Sequence, residues 1–313
     1  MDKRFLNYTD WQDTADTLHL FLQMAGKVKL ERSCKRPEWG HVRMDTTIQG
    51  IGTGIIPAGD CNFEIYFNLV RHHVDVQNSL GARVRMPLAD GLSVADFHGQ
   101  LLNALDTIGA PTRITTAPQE FHDPIPFDQD TKHHSYDRDA VELFLANLQF
   151  AHRSLAGFLA PMRGKVDMPA FWFGTMDLSG NVFSGQPAPY SGTDVIGRNG
   201  FDEKFFEVGF WPGDTKNAAP SFYALPYPFL ADIGTYGSLL EPPQASFLVQ
   251  ESEFVFRLED AFSAPDPQRA VVDFCRSSFA ILQRLDRWED LDWITEPLTY
   301  GLQPLRPGGG KHP

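Results

Sequence analysis

Apolar and polar positions follow an order that occurs twice along this chain. Each half has a helical pattern that reaches Gly-Lys-Val, then a tryptophan, then a strand-like Phe-Glu-aliphatic-x-Phe segment, and finally an amphipathic helix. These landmarks span residues 26–67 in the first half and 164–210 in the second, and the closing helices fall near 93–108 and 266–288. A repeat of this length predicts two similar units packed as an internal pseudo-dimer.

Several elements follow from the local periodicity. Apolar residues recur at helical spacing from Trp11 to Ala25, and Gly26 is predicted to end that helix. Ser93 and Asp266 are predicted N-caps of later helices, and a further helix is predicted over 138–160. The remaining local predictions are a short strand over 112–117, a strand over 171–178 and a long loop over 179–200.

Strands in meander order between flanking helices predict an α+β fold with antiparallel sheets. We expect a first α+β unit over residues 1–120, a connector over 121–137, a second α+β unit over 138–305 and a disordered tail over 306–313. The connector is rich in proline and polar residues, which is typical of a boundary loop.

Composition limits the function classes. The net charge of −13 and the pI of about 5.1 argue against nucleic acid and anionic membranes as partners. Three scattered cysteines, no signal-peptide pattern and no long apolar run lead us to expect a cytoplasmic protein. The sequence leaves the oligomeric state and any cofactor unknown, and no metal-ligand spacing is present.

Many landmarks occur in an order that resembles a bacterial family catalogued as a domain of unknown function, number 5996. They are Trp11, Thr14, Thr17-Leu18-His19-Leu20, Gln23, Gly26-Lys27, Phe127, Asp130, Ser135-Tyr136-Asp137, Gly164-Lys165, Phe171-Trp172, Asp177-Leu178, Phe183-Ser184-Gly185 and Gly209-Phe210-Trp211-Pro212-Gly213. The resemblance implies no known activity. It also implies a divergent member, since Ala170 and Gln186 stand where the family tends to have histidine and arginine.

The leading hypothesis is a protein that binds a small, possibly anionic molecule in a groove between the two units. Lys27 and Lys165 occupy equivalent places in the two halves, and aromatic residues are dense around both. The candidate ligand-binding residues are Lys27, Trp39, Arg163, Lys165, Trp172, Ser184 and Trp211.

Two alternatives remain open from the sequence. An enzyme, possibly a hydrolase, would use His and Asp groups of the connector, and its candidate catalytic residues are Asp130, His134 and Asp177. A protein-interaction module without a pocket would instead present an exposed apolar patch. Asp177 is predicted to lie on a strand, where it would be either a buried structural carboxylate or a ligand-facing acid.

Overall fold

The computed structural model describes residues 5–249 and 252–298. Its α-helices are α1 (Tyr8–Arg32), α2 (Val94–Thr107), α3 (Arg138–Leu159), α4 (Val195–Gly200), α5 (Leu258–Ser263), α6 (Pro267–Leu285) and α7 (Leu291–Ile294). The strands are β1 (Asp45–Thr46), β2 (Gly50–Gly52), β3 (Ile56–Ala58), β4 (Cys61–Asn68), β5 (His73–Asn78), β6 (Arg83–Pro87), β7 (Val166–Phe171), β8 (Leu178–Pro187), β9 (Glu203–Trp211), β10 (Ser221–Tyr227), β11 (Ser246–Leu248) and β12 (Glu253–Arg257). Two 3-10 helices cover Pro37–Trp39 and Ile233–Leu239.

The strands form two six-stranded antiparallel sheets. The first has the order β1-β2-β4-β5-β6, with β3 paired to β4, and the second has the order β11-β12-β10-β9-β8-β7. A bridge between Met44 and Phe171 connects them through two backbone hydrogen bonds of 2.8 and 2.9 Å. The predicted α+β class with antiparallel sheets is therefore confirmed, whereas the internal pseudo-dimer stays a prediction.

Alternation along the strands decides which face of each sheet is buried. In the second sheet, Phe206 packs against Phe158 of α3 and Phe279 of α6. In the first sheet, Phe67 packs against Phe97 of α2, which stacks on Phe21 of α1. Helices thus cover one face of each sheet. None of the helices in the described ranges has the length and apolar character that a membrane span requires.

The predicted end of the first helix at Gly26 is wrong, because α1 continues to Arg32. A Cβ atom at Gly26 would lie 2.1 Å from the Phe173 ring, so this glycine admits a close contact with a distant segment. Lys27 consequently lies inside the helix and not beyond it. Two predicted N-caps are confirmed: Ser93 Oγ accepts from the Asp96 N–H at 3.0 Å, and Asp266 Oδ1 accepts from the Arg269 N–H at 3.0 Å.

Three other local predictions are wrong. Residues 112–117 form no strand, and the predicted strand over 171–178 is divided by a turn at 172–177. The predicted loop over 179–200 instead contains β8 and α4. Gly180 lies within β8, where a Cβ atom would be 2.4 Å from the Asp167 carbonyl oxygen and 2.6 Å from Leu159, so this strand position requires glycine. The predicted tail over 306–313 lies outside the described residues.

Candidate functional site

The second sheet has an outer face that α3 and α6 do not cover; one part of it is buried by an aromatic cluster around Phe205, and the rest is open. Along β9, Phe206, Val208 and Phe210 are buried towards the helices, whereas Glu207 and Trp211 are only partly buried. Because strand residues alternate between faces, Glu207 and Trp211 point away from the helices. The antiparallel register aligns one row of residues across this outer face: Ser179, Gly209, Tyr223 and Val255.

A tight turn before β8 brings Asp177 onto the outer face. The Trp172 N–H donates to the Asp177 carbonyl oxygen at 2.8 Å, and the Met176 N–H donates to the Trp172 carbonyl oxygen at 3.0 Å. Met176 has a φ of 62°, a left-handed conformation that is unusual for a residue other than glycine. Its side chain is nonetheless buried, which holds the turn in place. Thr175 Oγ1 donates to the Asp177 carboxylate.

The Tyr223 hydroxyl joins two carboxyl groups on this face. It lies within hydrogen-bonding distance of Asp177 Oδ2 and is 3.2 Å from Glu207 Oε1. A phenol carries one hydrogen, so it can donate to only one of the two carboxyl groups at a time. If Glu207 is protonated, it donates to the Tyr223 oxygen while Tyr223 donates to Asp177. The geometry therefore suits a carboxyl pair that holds one proton.

Gly209 makes this arrangement possible. It is paired directly with Tyr223 in the sheet register, and a Cβ atom at position 209 would lie 2.2 Å from Tyr223 Cζ. The tyrosine ring can lie across the sheet only because no side chain is present there. From that position its hydroxyl reaches both Asp177 and Glu207.

Burial raises the proton affinity of both carboxyl groups, and the charge of Asp177 adds to this effect at Glu207. Burial, together with the nearby charge of Asp177, raises the pKa of Glu207 to about 7. Hydrogen bonds from Ser179 and Tyr223 oppose this shift but do not outweigh it. Burial also raises the pKa of Asp177. Trp172 Nε1 donates to Ser179 Oγ at 2.8 Å. The indole therefore positions the hydroxyl group that is hydrogen-bonded to Glu207.

The raised pKa of Glu207 predicts a pH-dependent stability. A carboxyl group whose pKa is higher in the folded state stabilises the fold below its unfolded pKa, and this contribution is lost as the pH rises through the folded value. We expect the free energy of unfolding to contain a component of about 2 kcal/mol that disappears between about pH 5 and pH 8. Urea denaturation of the wild type should give this difference in the free energy of unfolding between about pH 5 and pH 8, and urea denaturation of Glu207→Gln should not. An equal pH dependence in the two proteins would contradict the assignment.

The carboxyl pair lies in a groove of about 850 Å³ on the outer face. Trp211, Tyr223, Leu225 and Val255 contribute apolar surface. Its charged lining residues are Asp177, Glu207, Asp214, Glu253 and Asp260 against Lys216 and Arg257. Carboxylates thus outnumber cations. All lining residues come from the second half of the chain, whereas the sequence-based hypothesis places the groove between the two halves.

Three of the residues proposed from the sequence belong to this site. Asp177 and Trp211 line the groove. Trp172 donates to Ser179, whose hydroxyl is hydrogen-bonded to the lining residue Glu207. Ser184 is buried near the other end of β8, where its Oγ accepts from the Gln186 N–H at 3.0 Å. Trp39 donates from Nε1 to the Ile196 carbonyl oxygen at 3.0 Å.

The basic residues proposed from the sequence have other surroundings. Lys27 is buried in α1, with Nζ 5.8 Å from the centre of the Phe127 ring, and burial lowers its pKa. Lys165 pairs with Glu38 and with Glu203, and its Nζ lies 4.0 Å from the Phe183 ring centre. Arg163 donates to the carbonyl oxygens of residues 296 and 297. Lys27 and Lys165 share no contact partner among these contacts.

In the connector, Asp130 is fully buried and contacts His133, not His134. Asp130 Oδ2 lies 2.7 Å from His133 Nδ1, and Oδ1 accepts from the backbone N–H groups of Lys132 and His133. His134 is exposed, and its carbonyl oxygen accepts from the Gly91 N–H. Asp16 of α1 is also buried, and its Oδ2 lies 3.3 Å from Nε2 of His122 in the connector. The Asp130 side chain thus anchors the connector backbone.

Sequence reasoning did not select Glu207 or Tyr223. Glu207 lies inside the repeated Phe-Glu-aliphatic segment, and its position between the apolar residues Phe206 and Val208 was the available signal. The contact between Tyr223 and Asp177 depends on strand pairing and on Gly209, which local patterns do not reveal. Across residues 5–249 and 252–298, no group of three or more His, Cys, Asp or Glu side chains is arranged to hold a metal ion.

The chain belongs to the family of unknown function DUF5996, whose sequence profile matches residues 4–293. The resemblance stated from the sequence landmarks is thereby confirmed. No curated protein and no solved structure gave a match.

Proposed function

We propose that this chain binds a small cationic molecule, an amine or a guanidine, in the groove on the outer face of the second sheet. The carboxyl pair Asp177–Glu207, joined by the Tyr223 hydroxyl, carries the proposal. An ammonium or guanidinium group donates several hydrogen bonds, and a pair of carboxyl groups accepts them. The proposal keeps the small-molecule class expected from the sequence but changes the preferred charge.

The charge of the groove supports a cation. Lys216 and Arg257 are its basic lining residues, and carboxylates outnumber them. An anion in this groove would be repelled by Asp177 and Glu207 at short range. A cation would instead lower the pKa of Glu207. The pair would then lose its shared proton, and both carboxyl groups would be negatively charged. Binding of a cation is therefore expected to release a proton near neutral pH.

The aromatic walls support an organic cation more than an inorganic one. Trp211 and Tyr223 both line the groove, and their ring faces attract cations while covering apolar groups. A volume of about 850 Å³ lies within the usual range for small-molecule pockets.

A thermal-shift screen tests the proposal. The library should contain primary amines, polyamines and guanidines, each matched with a carboxylate and an alcohol of the same carbon skeleton. We expect cations to raise the melting temperature of the wild type and their acidic partners to leave it unchanged. Because a hydrogen bond to a charged group contributes about 1.5–3 kcal/mol, Asp177→Asn should weaken binding of the best cation by about 10- to 100-fold.

Asp106→Asn is the matched control, since Asp106 is an exposed carboxylate on α2. It should bind the cation as the wild type does. Stabilisation by the carboxylate compounds, or equal affinity in Asp177→Asn and the wild type, would contradict the proposal.

Acid–base catalysis in the same groove is a second candidate function. The observation that favours it is the pKa of Glu207 at about 7, which suits a group that accepts and returns a proton at neutral pH. Asp177 and Tyr223 would keep that proton in place. A turnover assay on the cations identified by the screen would separate this function from binding alone.

A further inference from the structure

The outer face of the first sheet has a separate polar groove of about 660 Å³. Alternation along β5 directs His73, Asp75 and Gln77 to this face, and alternation along β6 directs Arg83 and Arg85 to it. Residues from β4 and the β4–β5 turn complete the lining: Tyr66, Asn68 and Arg71.

Asp75 organises the two arginines of β6. Arg85 lies directly opposite it and donates from Nε to Oδ1 at 2.9 Å and from Nη2 to Oδ2 at 3.1 Å. Arg83 donates from Nε to Oδ1 at 3.0 Å and from Nη2 to Oδ2. His73 Nε2 lies 3.1 Å from Oδ2. Burial opposes ionisation of Asp75, but the hydrogen bonds from Arg85 and Arg83 hold its pKa well below the usual range.

The two guanidinium groups are therefore held in a fixed orientation, and each has unused N–H donors. Each uses Nε and Nη2 for Asp75, which leaves Nη1 and its two hydrogens for another acceptor. Their side chains are about half exposed, 48% for Arg83 and 53% for Arg85, whereas Asp75 is 6% exposed. The negative charge is thus buried beneath the positive groups.

Arg71 adds a third guanidinium at the rim. Its side chain is exposed and has no hydrogen-bonding or ion-pair partner within the described residues. Among the lining residues, three arginines face one carboxylate. Glu64 lies opposite Gln77 and accepts a hydrogen bond from its side-chain amide. The groove is basic in a chain whose net charge is −13.

We propose that this groove binds a phosphate-bearing small molecule through Arg71, Arg83 and Arg85, with Asp75 as a positioning residue. Guanidinium groups bind phosphate oxygens through paired N–H donors, and a fixed guanidinium loses little entropy on binding. Nothing in this inference depends on the cation groove of the second sheet, which lies on a different set of strands.

Isothermal titration with pyrophosphate, in a buffer free of phosphate and divalent metals, tests the proposal. The wild type is expected to bind pyrophosphate with millimolar or tighter affinity, and added salt should weaken the binding. Arg85→Gln and Arg71→Gln should each weaken it by at least about fivefold. Arg71 takes no part in the Asp75 network, so Arg71→Gln is expected to leave that network in place.

Arg113→Gln removes an exposed arginine of the segment after α2 and serves as the control. It should bind pyrophosphate as the wild type does. The proposal is overturned if the wild type gives no binding heat at millimolar pyrophosphate. It is also overturned if Arg71→Gln and Arg85→Gln bind as tightly as Arg113→Gln, because the attraction would then be non-specific.

Discussion

The Gly26→Ala variant is expected to be less stable than the wild type by about 3 kcal/mol. The new Cβ would lie 2.1 Å from Cγ and Cδ1 of Phe173 and 2.7 Å from its Cβ. Phe173 is buried, and its Cβ is tied to the backbone of the turn before Asp177, so the ring cannot simply rotate away. The intrinsic helix preference for alanine returns only about 1 kcal/mol. Urea denaturation measures the difference.

Gly99→Ala is the matched control for this prediction. Gly99 also lies inside a helix, α2, but a Cβ there meets no atom within 4 Å. Alanine at this position should stabilise the protein by about 0.5–1 kcal/mol. If both variants gained stability, the close packing of α1 against the Phe173 segment would be incorrect, and so would the position of Asp177.

The Gly209→Ala variant is expected to bind the cation more weakly while keeping most of its stability. Its Cβ would lie within 2.2–2.4 Å of Cζ, Cε1 and the hydroxyl oxygen of Tyr223. These atoms are the free end of a side chain in an open groove, so the ring should swing away at a cost of about 1 kcal/mol. The hydroxyl then leaves both Asp177 and Glu207. We expect cation affinity to fall by about tenfold or more, as measured by titration calorimetry.

Tyr223→Phe gives the comparison that isolates the mechanism. It removes the hydroxyl without moving the ring, and it should weaken cation binding to a similar extent. If Gly209→Ala acts through the same hydroxyl, the double variant should be no weaker than either single variant. Additive losses would mean that Gly209 serves the site in some other way.

The sequence predicted the elements that carry their own end signals. Ser93 and Asp266 are polar caps followed by a clear apolar period, and the helices begin where those caps predict. Gly26 was predicted to end its helix because glycine often does so, and Gly180 falls in the segment predicted as a loop. In this chain their missing side chains admit Phe173 and Leu159, which are distant in sequence. Such contacts are tertiary and leave no local pattern.

The site was predictable only in part for a related reason. Asp177 was proposed from its position on a predicted strand and Trp211 from its position at the end of one, and both patterns are visible in the sequence. Their partners Glu207 and Tyr223 come from strands that meet Asp177 through register, and the register depends on pairing across the whole sheet. The lysines at equivalent places in the two halves suggested an anion site. The structure gives Lys165 carboxylate partners and buries Lys27 against an aromatic ring.

A crystal structure with the most stabilising cation from the screen is the most direct test of the proposed function. The proposal predicts that the amine or guanidine nitrogen lies within hydrogen-bonding distance of the Asp177 or Glu207 carboxyl oxygens, with its carbon skeleton against Trp211 or Tyr223. A cation bound elsewhere on the protein, with the Asp177–Tyr223–Glu207 contacts unchanged, would contradict it.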